Sequence, residues 1–178
     1  GPISIEDPFL TLHPLRMIKS EAELDLMRTA ADIAAIAHNH ARKFAKPGIN
    51  EYQIAAEIEY IFNKNGAMGV AYPSIVASGA NACILHYIDN NSVLKDGDLL
   101  LIDAGCAVGY YNSDVTRTFP VNGKFTAEQK IIYELVLDAQ MASIEQVKPG
   151  TTWKDFHATS VQIITEGLVN LGLLAGEV

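Results

Sequence analysis

The sequence predicts a mixed α/β protein in which a pair of helices leads into a block of short strands, and a second pair of helices follows. Three observations support this class: helical segments that begin with capping residues, a middle region of short apolar segments separated by Gly, Asn and Asp, and a repeat of the helical pattern. The chain has 178 residues, of which 49% are hydrophobic and 19% charged. This composition supplies a packed core and excludes disorder as a description of the whole chain.

The first two helices are predicted by their end signals. Ser20 and Glu23 form a capping box, in which the serine hydroxyl accepts a hydrogen bond from the third helical amide and the glutamate reaches back. Apolar residues then recur at helical spacing until Lys46-Pro47-Gly48 ends the helix. Asn50 begins the second helix, and Asn65-Gly66 ends it because both residue types tolerate a left-handed backbone.

The middle of the chain changes to a strand pattern before the helical pattern returns. Four short segments rich in Ile, Val, Tyr, Leu or Thr are expected to be strands: residues 70–78, 83–89, 98–104 and 114–120. A third helix is expected to start at Thr126 and to end at Lys148-Pro149-Gly150, and a fourth is expected to start at Thr152.

The helical pairs form an internal repeat. The two Lys-Pro-Gly segments lie 102 positions apart, and the same offset aligns Ile54 with Phe156 and Phe62 with Ile164. Each copy therefore consists of a helix, Lys-Pro-Gly and a second helix. The first copy continues into strands, whereas the second reaches Val178 without them, so we expect a fragment whose second half-unit is incomplete.

This repeat defines the expected domain organisation. We predict a leader over residues 1–18, with a cloning scar at residues 1–2. Residues 19–122 would form the first half-unit, in which helices precede strands. Residues 123–178 would contribute the helices of the second half-unit.

Charge and cysteine content exclude several classes of partner. With 13 basic and 21 acidic residues the net charge is −8 and no basic run is present, which argues against nucleic acid and anionic membrane surfaces. No apolar stretch reaches the roughly 18 residues of a membrane helix. Cys83 and Cys106 form no CxxC motif, so we expect two buried, reduced thiols in a cytoplasmic protein.

Two aspartates in the strand region form the candidate chemical site. Asp103 follows four aliphatic residues that indicate a strand buried on both faces, where a carboxylate is costly. If the following strands form a hairpin that turns at Val108-Gly109, Asp114 lies directly opposite Asp103. Two carboxylates this close can share a proton, pair with Arg117 or bind a cation; of these a divalent metal fits best, since Arg117 is expected on the opposite strand face.

His86 is a third candidate site residue. It lies in a predicted apolar strand, where a single histidine is more often a packed core residue than a functional one. The sequence spacing does not show whether it approaches the aspartates. The other four histidines are expected to be surface or packing residues.

Three motifs resemble the aminopeptidase P (Xaa-Pro aminopeptidase) and prolidase branch of the pita-bread metallopeptidases. They lie at residues 79–87, 96–106 and 113–126, and the match extends from about Arg16 to the end of the chain. The resemblance implies the pita-bread (creatinase/aminopeptidase-like) fold, an α/β (α+β) arrangement of two pseudo-symmetric halves that share a curved sheet. The second half would be incomplete in this chain.

The resemblance also implies a reaction and a role for each candidate residue. Asp103 would be a terminal ligand and Asp114 a bridging ligand of two divalent metal ions, usually manganese. His86 would be catalytic, binding the substrate or the tetrahedral intermediate rather than the metal. The family removes an N-terminal residue from Xaa-Pro peptides by attack of a metal-activated hydroxide on the scissile carbonyl.

The family's remaining ligands, one His and two Glu, match no motif here, so we expect an incomplete site and an inactive isolated chain. A methionine aminopeptidase-like or prolidase-like peptidase is an alternative, and a non-catalytic pita-bread module that binds peptide or protein is another. An open strand edge in the half-complete sheet predicts a homo-oligomer or self-association.

Overall fold

The computed structural model describes residues 6–176, so the expected cloning scar at residues 1–2 lies outside the described residues. The mixed α/β class is confirmed, and the chain divides into two compact units, the first ending at Lys124 and the second beginning at Phe125. In the described part of the chain the α-helices are α1 (Phe9–Met17), α2 (Glu21–Phe44), α3 (Glu51–Lys64), α4 (Ala127–Glu145) and α5 (Trp153–Asn170). The strands are β1 (Gly69–Val70), β2 (Ile75–Ser78), β3 (Leu99–Ala104), β4 (Cys106–Val108), β5 (Tyr111–Asn112) and β6 (Val115–Pro120).

The four predicted helices, α2 to α5, are present and begin as their capping residues indicate. At α2 the Ser20 hydroxyl accepts from the Glu23 amide at 3.4 Å, and the Glu23 carboxylate accepts from the Ser20 amide at 2.7 Å. The additional helix α1 lies in the predicted leader and buries none of its residues. The sequence did not predict it because Pro14, which normally interrupts a helix, lies inside it.

The repeat is present in the local structure of both units. Helix α5 begins 102 positions after α3, and Gly48 and Gly150 adopt left-handed φ values of 93° and 91° before them. Both helices also start with a capping box, from Asn50 in the first unit and from Thr152 in the second. The same residue types at the same spacing therefore build the same turn into the helix.

The first unit is a pair of helices packed on antiparallel sheet. Strand β3 lies between β2 and β6, and a second sheet has the order β1-β4-β5. Along β3, Leu100, Ile102 and Ala104 are fully buried and the residues between them are half-buried. The prediction of a strand buried on both faces is therefore wrong: Asp103 lies on the less buried face, where a carboxylate costs less free energy. The core that joins the helices to the buried face includes Ala34, Ala37, Ile54, Ile58, Phe62, Leu100 and Ile102.

The second unit is a helical hairpin. Helix α4 packs against α5, and Gly167 lies so close to Leu135 that a side chain at residue 167 would overlap it. The Ser143 and Ser160 hydroxyls are 2.6 Å apart between the two helices. No helix within residues 6–176 is both long and apolar enough to cross a membrane.

The predicted strand at residues 83–89 is wrong. A short 3₁₀ helix, Gly79–Cys83, and a turn occupy this region, and His86 and Asn90 have φ values of 55° and 45°. A residue with positive φ cannot continue a strand, although its apolar neighbours follow a strand-like sequence pattern. The segment 79–98 is therefore an irregular connection between β2 and β3.

The other three predicted strands are present with changes in detail. Segment 70–78 is divided between β1 and β2, whereas segments 98–104 and 114–120 correspond to β3 and β6. The hairpin formed by β4 and β5 turns at Gly109-Tyr110, one residue later than predicted, because φ is positive at both residues as a type I′ turn requires.

A buried carboxylate connects α3 to the irregular segment. Glu51 is 0% exposed, and it accepts hydrogen bonds from the Ser78 amide and hydroxyl, Asn81, Tyr87 and the Ser92 amide at 2.7–3.1 Å. Burial by itself would raise the pKa of Glu51, but the hydrogen bonds from Ser92, Ser78 and Asn81 outweigh it and hold the pKa below its ordinary value of 4.5. Glu51 is therefore ionised at neutral pH.

Replacing this carboxylate should destabilise the first unit in a pH-dependent way. Glu51→Gln is expected to lower the free energy of unfolding at pH 7 by about 1–3 kcal/mol, because the amide nitrogen would face a hydrogen-bond donor. The pKa of Glu51 is lower in the folded state, so its contribution is present above pH 4.5 and lost as the pH falls through the folded value. The difference between wild type and variant should therefore shrink below pH 4.5.

Urea unfolding at pH 7 and at pH 3–4 measures this difference. Glu59→Gln makes the same chemical change at an exposed position of α3 and should alter stability by less than about 0.5 kcal/mol. A Glu51→Gln penalty that stays constant across the pH range would contradict the prediction.

Candidate metal site

The structure brings Asp103 and Asp114 together around one hydroxyl group. The Tyr72 hydroxyl lies 2.6 Å from Asp103 Oδ1 and 2.9 Å from Asp114 Oδ1. The two carboxylate oxygens are therefore at most about 5.5 Å apart, the sum of these two distances. Asp103 is half-buried and Asp114 is exposed, so the pair is accessible from solvent.

The predicted register between the two aspartates is wrong, although they lie near each other. Asp103 pairs directly with Thr116, because β3 and β6 are separated by a hairpin that turns later than expected. Asp114 lies two residues before Thr116, so strand alternation places it on the same sheet face as a diagonal neighbour of Asp103. Gly105 permits this close approach, since a Cβ there would overlap the Ser113 carbonyl oxygen.

Tyr72 was not predicted from the sequence. It lies in the connection between β1 and β2, and its proximity to the aspartates follows from the pairing of Ile75 with Asp103. Burial, together with the hydrogen bonds to the two carboxylates, raises the pKa of the Tyr72 hydroxyl. The hydroxyl therefore remains protonated, although one proton can be directed to only one carboxylate at a time. No local sequence signal marks this residue, because the contact depends on strand register.

Neither aspartate is neutralised by a basic side chain. Within residues 6–176 no Lys, Arg or His forms an ion pair with Asp103 or Asp114. The Arg117 guanidinium instead donates to the adjacent Thr116 carbonyl at 2.7 Å and is exposed. The negative charge of the pair is thus left without a cationic protein partner in the described part of the chain.

The aspartate pair fits two ligands of a divalent cation. Its donors are carboxylate oxygens, which hard cations such as Mg²⁺, Ca²⁺ and Mn²⁺ prefer. The two oxygens already converge on a single atom, the Tyr72 hydroxyl oxygen, and are reachable from solvent. Within the described residues no group of three or more His, Cys, Asp or Glu side chains could hold a metal, so the remaining ligands are not provided there.

His86 is not brought into contact with the aspartates. Its side chain is exposed, and in residues 6–176 it forms no hydrogen bond to Asp103 or Asp114. The alternative of a packed core histidine is therefore wrong. His86 lies on the connection that follows β2, the strand paired with the Asp103 strand β3.

A different histidine, His38, contacts strand β3 from the core side. His38 of α2 is buried, and its Nε2 lies 3.1 Å from the carbonyl oxygen of Ala104, which adjoins Asp103. A carbonyl only accepts, so Nε2 carries the proton; Nδ1 is buried without a partner in the described structure. Burial lowers the pKa of His38, which favours the neutral ring. His38 was expected to be either a surface or a packing residue, and the structure makes it a packing residue that holds the end of β3.

The two thiols differ in environment. Cys106 is buried, as expected, and burial raises the pKa of its thiol. Cys83 is exposed, so the prediction that both thiols are buried is wrong. Cys83 is exposed because it ends the 3₁₀ helix rather than lying in a core strand.

An antiparallel sheet that carries paired carboxylates and is backed by two capped helices is the arrangement expected of the pita-bread metallopeptidases. The model of metallopeptidase family M24 matches residues 25–176, and the chain belongs to this family. It is 44% identical over 178 residues to the Xaa-Pro aminopeptidase of Escherichia coli K12, covering 100% of this chain and 40% of the relative. The predicted resemblance is thereby confirmed.

Solved structures give the same fold. The aminopeptidase PepP of Pseudomonas aeruginosa is 53% identical, with a TM-score of 0.93 over 95% of this chain and 38% of that chain. A zinc-substituted E. coli aminopeptidase P in complex with product is 44% identical, with a TM-score of 0.96 over 99% of this chain and 40% of that chain. The pita-bread fold is therefore confirmed, and the chain spans about 40% of the length of the curated relative.

Removing the shared hydroxyl should reveal the repulsion between the aspartates. Tyr72→Phe is expected to lower the free energy of unfolding by about 1–3 kcal/mol, since two carboxylates lose their common donor. In an Asp114→Asn background the loss should be smaller, because the repulsion is then absent. Urea unfolding of the four proteins in metal-free buffer forms a double-mutant cycle, and a coupling energy of zero would contradict the proposed interaction.

Proposed function

We propose that this chain contributes the Asp103 and Asp114 ligands to the two-metal site of an aminopeptidase that releases the N-terminal residue from Xaa-Pro peptides. The observation that carries the proposal is the convergence of the two carboxylates on one hydroxyl. Membership of family M24 and the Xaa-Pro aminopeptidase relative support the substrate class. Because the chain spans about 40% of that relative, we expect further ligands from elsewhere and little activity from the 178 residues alone.

The two aspartates would act as ligands of different kinds. Asp114 is the more exposed and would bridge two ions, whereas half-buried Asp103 would bind one of them. Their oxygen donors favour manganese over softer metals. When bound, paired divalent ions lower the pKa of water and polarise a carbonyl oxygen. Tyr72 would orient the carboxylates toward the cations through its hydroxyl.

His86 would act on the substrate rather than on the metal. Its imidazole is exposed and free of hydrogen bonds to the aspartates within the described structure. An imidazole N–H at this position can donate to a substrate carbonyl oxygen and to the negative charge that develops on it. We therefore propose that His86 is a catalytic residue that binds the reacting group.

The partners and location that we propose follow from charge and cysteine chemistry. The net charge of −8 disfavours nucleic acid and anionic membrane surfaces. Both cysteines are free, and Cys83 is exposed, which suits the reducing cytoplasm. The substrate would be a peptide with proline at its second position.

Metal binding by the 178-residue chain tests the ligand assignment. Isothermal titration with Mn²⁺ should show that Asp103→Asn and Asp114→Asn each weaken binding about tenfold or more, equivalent to roughly 1.4 kcal/mol. Asp32→Asn, at an exposed position of α2, is the matched control and should bind like wild type. Equal affinities for all four proteins would contradict the assignment.

Peptide hydrolysis by the product of the complete reading frame tests the reaction. With Mn²⁺ we expect cleavage of Xaa-Pro-containing tripeptides in preference to Met-Ala peptides and Xaa-Pro dipeptides, which test the methionine aminopeptidase-like and prolidase-like alternatives. His86→Ala should lower kcat/KM by about 10²–10³-fold, as expected for the loss of a donor to developing charge. His157→Ala, an exposed control, should not. Peptide binding without hydrolysis would favour the non-catalytic module.

The isolated chain should associate through the edge of its sheet. Within residues 6–176 strand β6 pairs with β3 on one side only, and Thr116 and Arg117 at its centre are exposed. An edge strand with unpaired backbone groups can pair with a second copy of the chain. Light scattering should therefore show a mass that increases over micromolar concentrations, and a monomeric mass throughout would contradict this proposal.

A further inference from the structure

The connection between β2 and β3 carries His86 without regular secondary structure to hold it. His86 and Asn90 both have positive φ, and Leu85 and Ile88 are largely exposed. Apolar packing of this segment is limited to Tyr87 and Ala82, which join a small cluster with Ile75 and Ala77. Polar contacts with the first unit add a second constraint on both sides of His86.

Glu51 supplies most of these contacts from the start of α3. We use the term Glu51 cradle for Glu51 and its four partners, Ser78, Asn81, Tyr87 and Ser92. Ser78 and Asn81 precede His86, and Tyr87 and Ser92 follow it. One buried carboxylate thus holds both ends of the turn on which His86 lies.

Asn90 connects the same segment to the sheet. Its side chain accepts from the Val76 amide at 2.8 Å and donates to the Ser74 carbonyl at 2.8 Å. Strand β2 pairs with β3, and Ile75 lies opposite Asp103. The Asn90 contacts therefore connect the His86 turn, through β2, to the strand that carries Asp103. The Glu51 cradle and Asn90 therefore both constrain the position of the His86 turn relative to β2 and β3.

The chemistry of the cradle requires a carboxylate. The backbone amides of Ser78 and Ser92 can only donate. The Asn81 NH₂ group and the Ser78 and Tyr87 hydroxyls donate to Glu51 as well. An ionised carboxylate accepts all of these bonds through its two oxygens. Glutamine would retain one accepting oxygen and direct an NH₂ group at a backbone amide.

We propose that Glu51 is a positioning residue for His86: the cradle fixes the conformation of residues 79–92 and thereby the placement of the imidazole. The functional consequence rests on the proposed role of His86, whereas the structural effect does not. Glu51 is fully buried and is not adjacent to Asp103 or Asp114 along the chain, so it would act through the turn rather than on substrate or metal.

Hydrogen exchange and histidine NMR on the 178-residue chain test the placement. In Glu51→Gln the amides of residues 79–92 should accelerate about tenfold or more beyond those of α2, whose exchange reports the loss of global stability of the first unit. The imidazole resonances of His86 should shift or broaden, and those of His157 should not. Glu59→Gln, an exposed change on the same helix, should leave both readouts at wild-type values.

A second variant covers the case in which Glu51→Gln does not fold. Tyr87→Phe keeps the ring and deletes one donor to Glu51, so it should produce a smaller effect in the same region. Unchanged exchange over residues 79–92 and unchanged His86 resonances in whichever variant folds would overturn the inference. Acceleration over residues 79–92 that does not exceed the acceleration of α2 would also overturn it, because the role of Glu51 would then be general stability.

Kinetics separate this inference from the proposed function. In the product of the complete reading frame, Glu51→Gln should lower kcat/KM for an Xaa-Pro peptide about tenfold with unchanged Mn²⁺ affinity. If His86→Ala is impaired but Glu51→Gln is not, the positioning role is wrong. If His86→Ala is fully active, the proposed role of His86 is wrong, and the NMR and exchange results still decide whether the cradle places its ring.

Discussion

Strand β3 pairs with β2 on one side and with β6 on the other, and the candidate site depends on both pairings. Alternation along β3 directs Leu100 and Ile102 into the core and leaves Asp103 on the accessible face. Pairing with β6 brings Asp114 to the same face, and pairing with β2 brings Tyr72 within hydrogen-bonding distance of both aspartates. A one-residue change in either register would move these side chains to opposite faces.

The first unit contains carboxylates in two different environments: one is buried and fully hydrogen-bonded, and two lie close together on an accessible face. Glu51 is fully buried and is stabilised by hydrogen-bond donors from four residues, so it contributes to structure. Asp103 and Asp114 share one hydroxyl and have no basic partner in the described residues, so they retain charge that a cation can neutralise. The difference in hydrogen bonding distinguishes a structural acid from candidate ligands.

The sequence predicted the elements whose determinants are local. The capping boxes at Ser20 and Thr126 act over three residues, and the helices begin where these residues indicate. The repeat was also detectable, since Gly48 and Gly150 lie in the turns before α3 and α5 and adopt the same backbone conformation there. By contrast, residues 83–89 have an apolar pattern typical of a strand, but buried Glu51, more than 30 positions away, holds them in a turn. Local pattern carries no information about such a distant partner.

The amino-acid sequence was sufficient to identify the family, the mixed α/β class and the two aspartates of the candidate site, because motif and period are properties of neighbouring residues. It did not reveal the diagonal relation of Asp103 to Asp114, the role of Tyr72 or the exposure of His86 and Cys83. Those features depend on a hairpin that turns at Gly109-Tyr110 and on hydrogen bonds between distant segments. Strand register and buried polar contacts are set when the chain packs, since only then does each polar group find its partner.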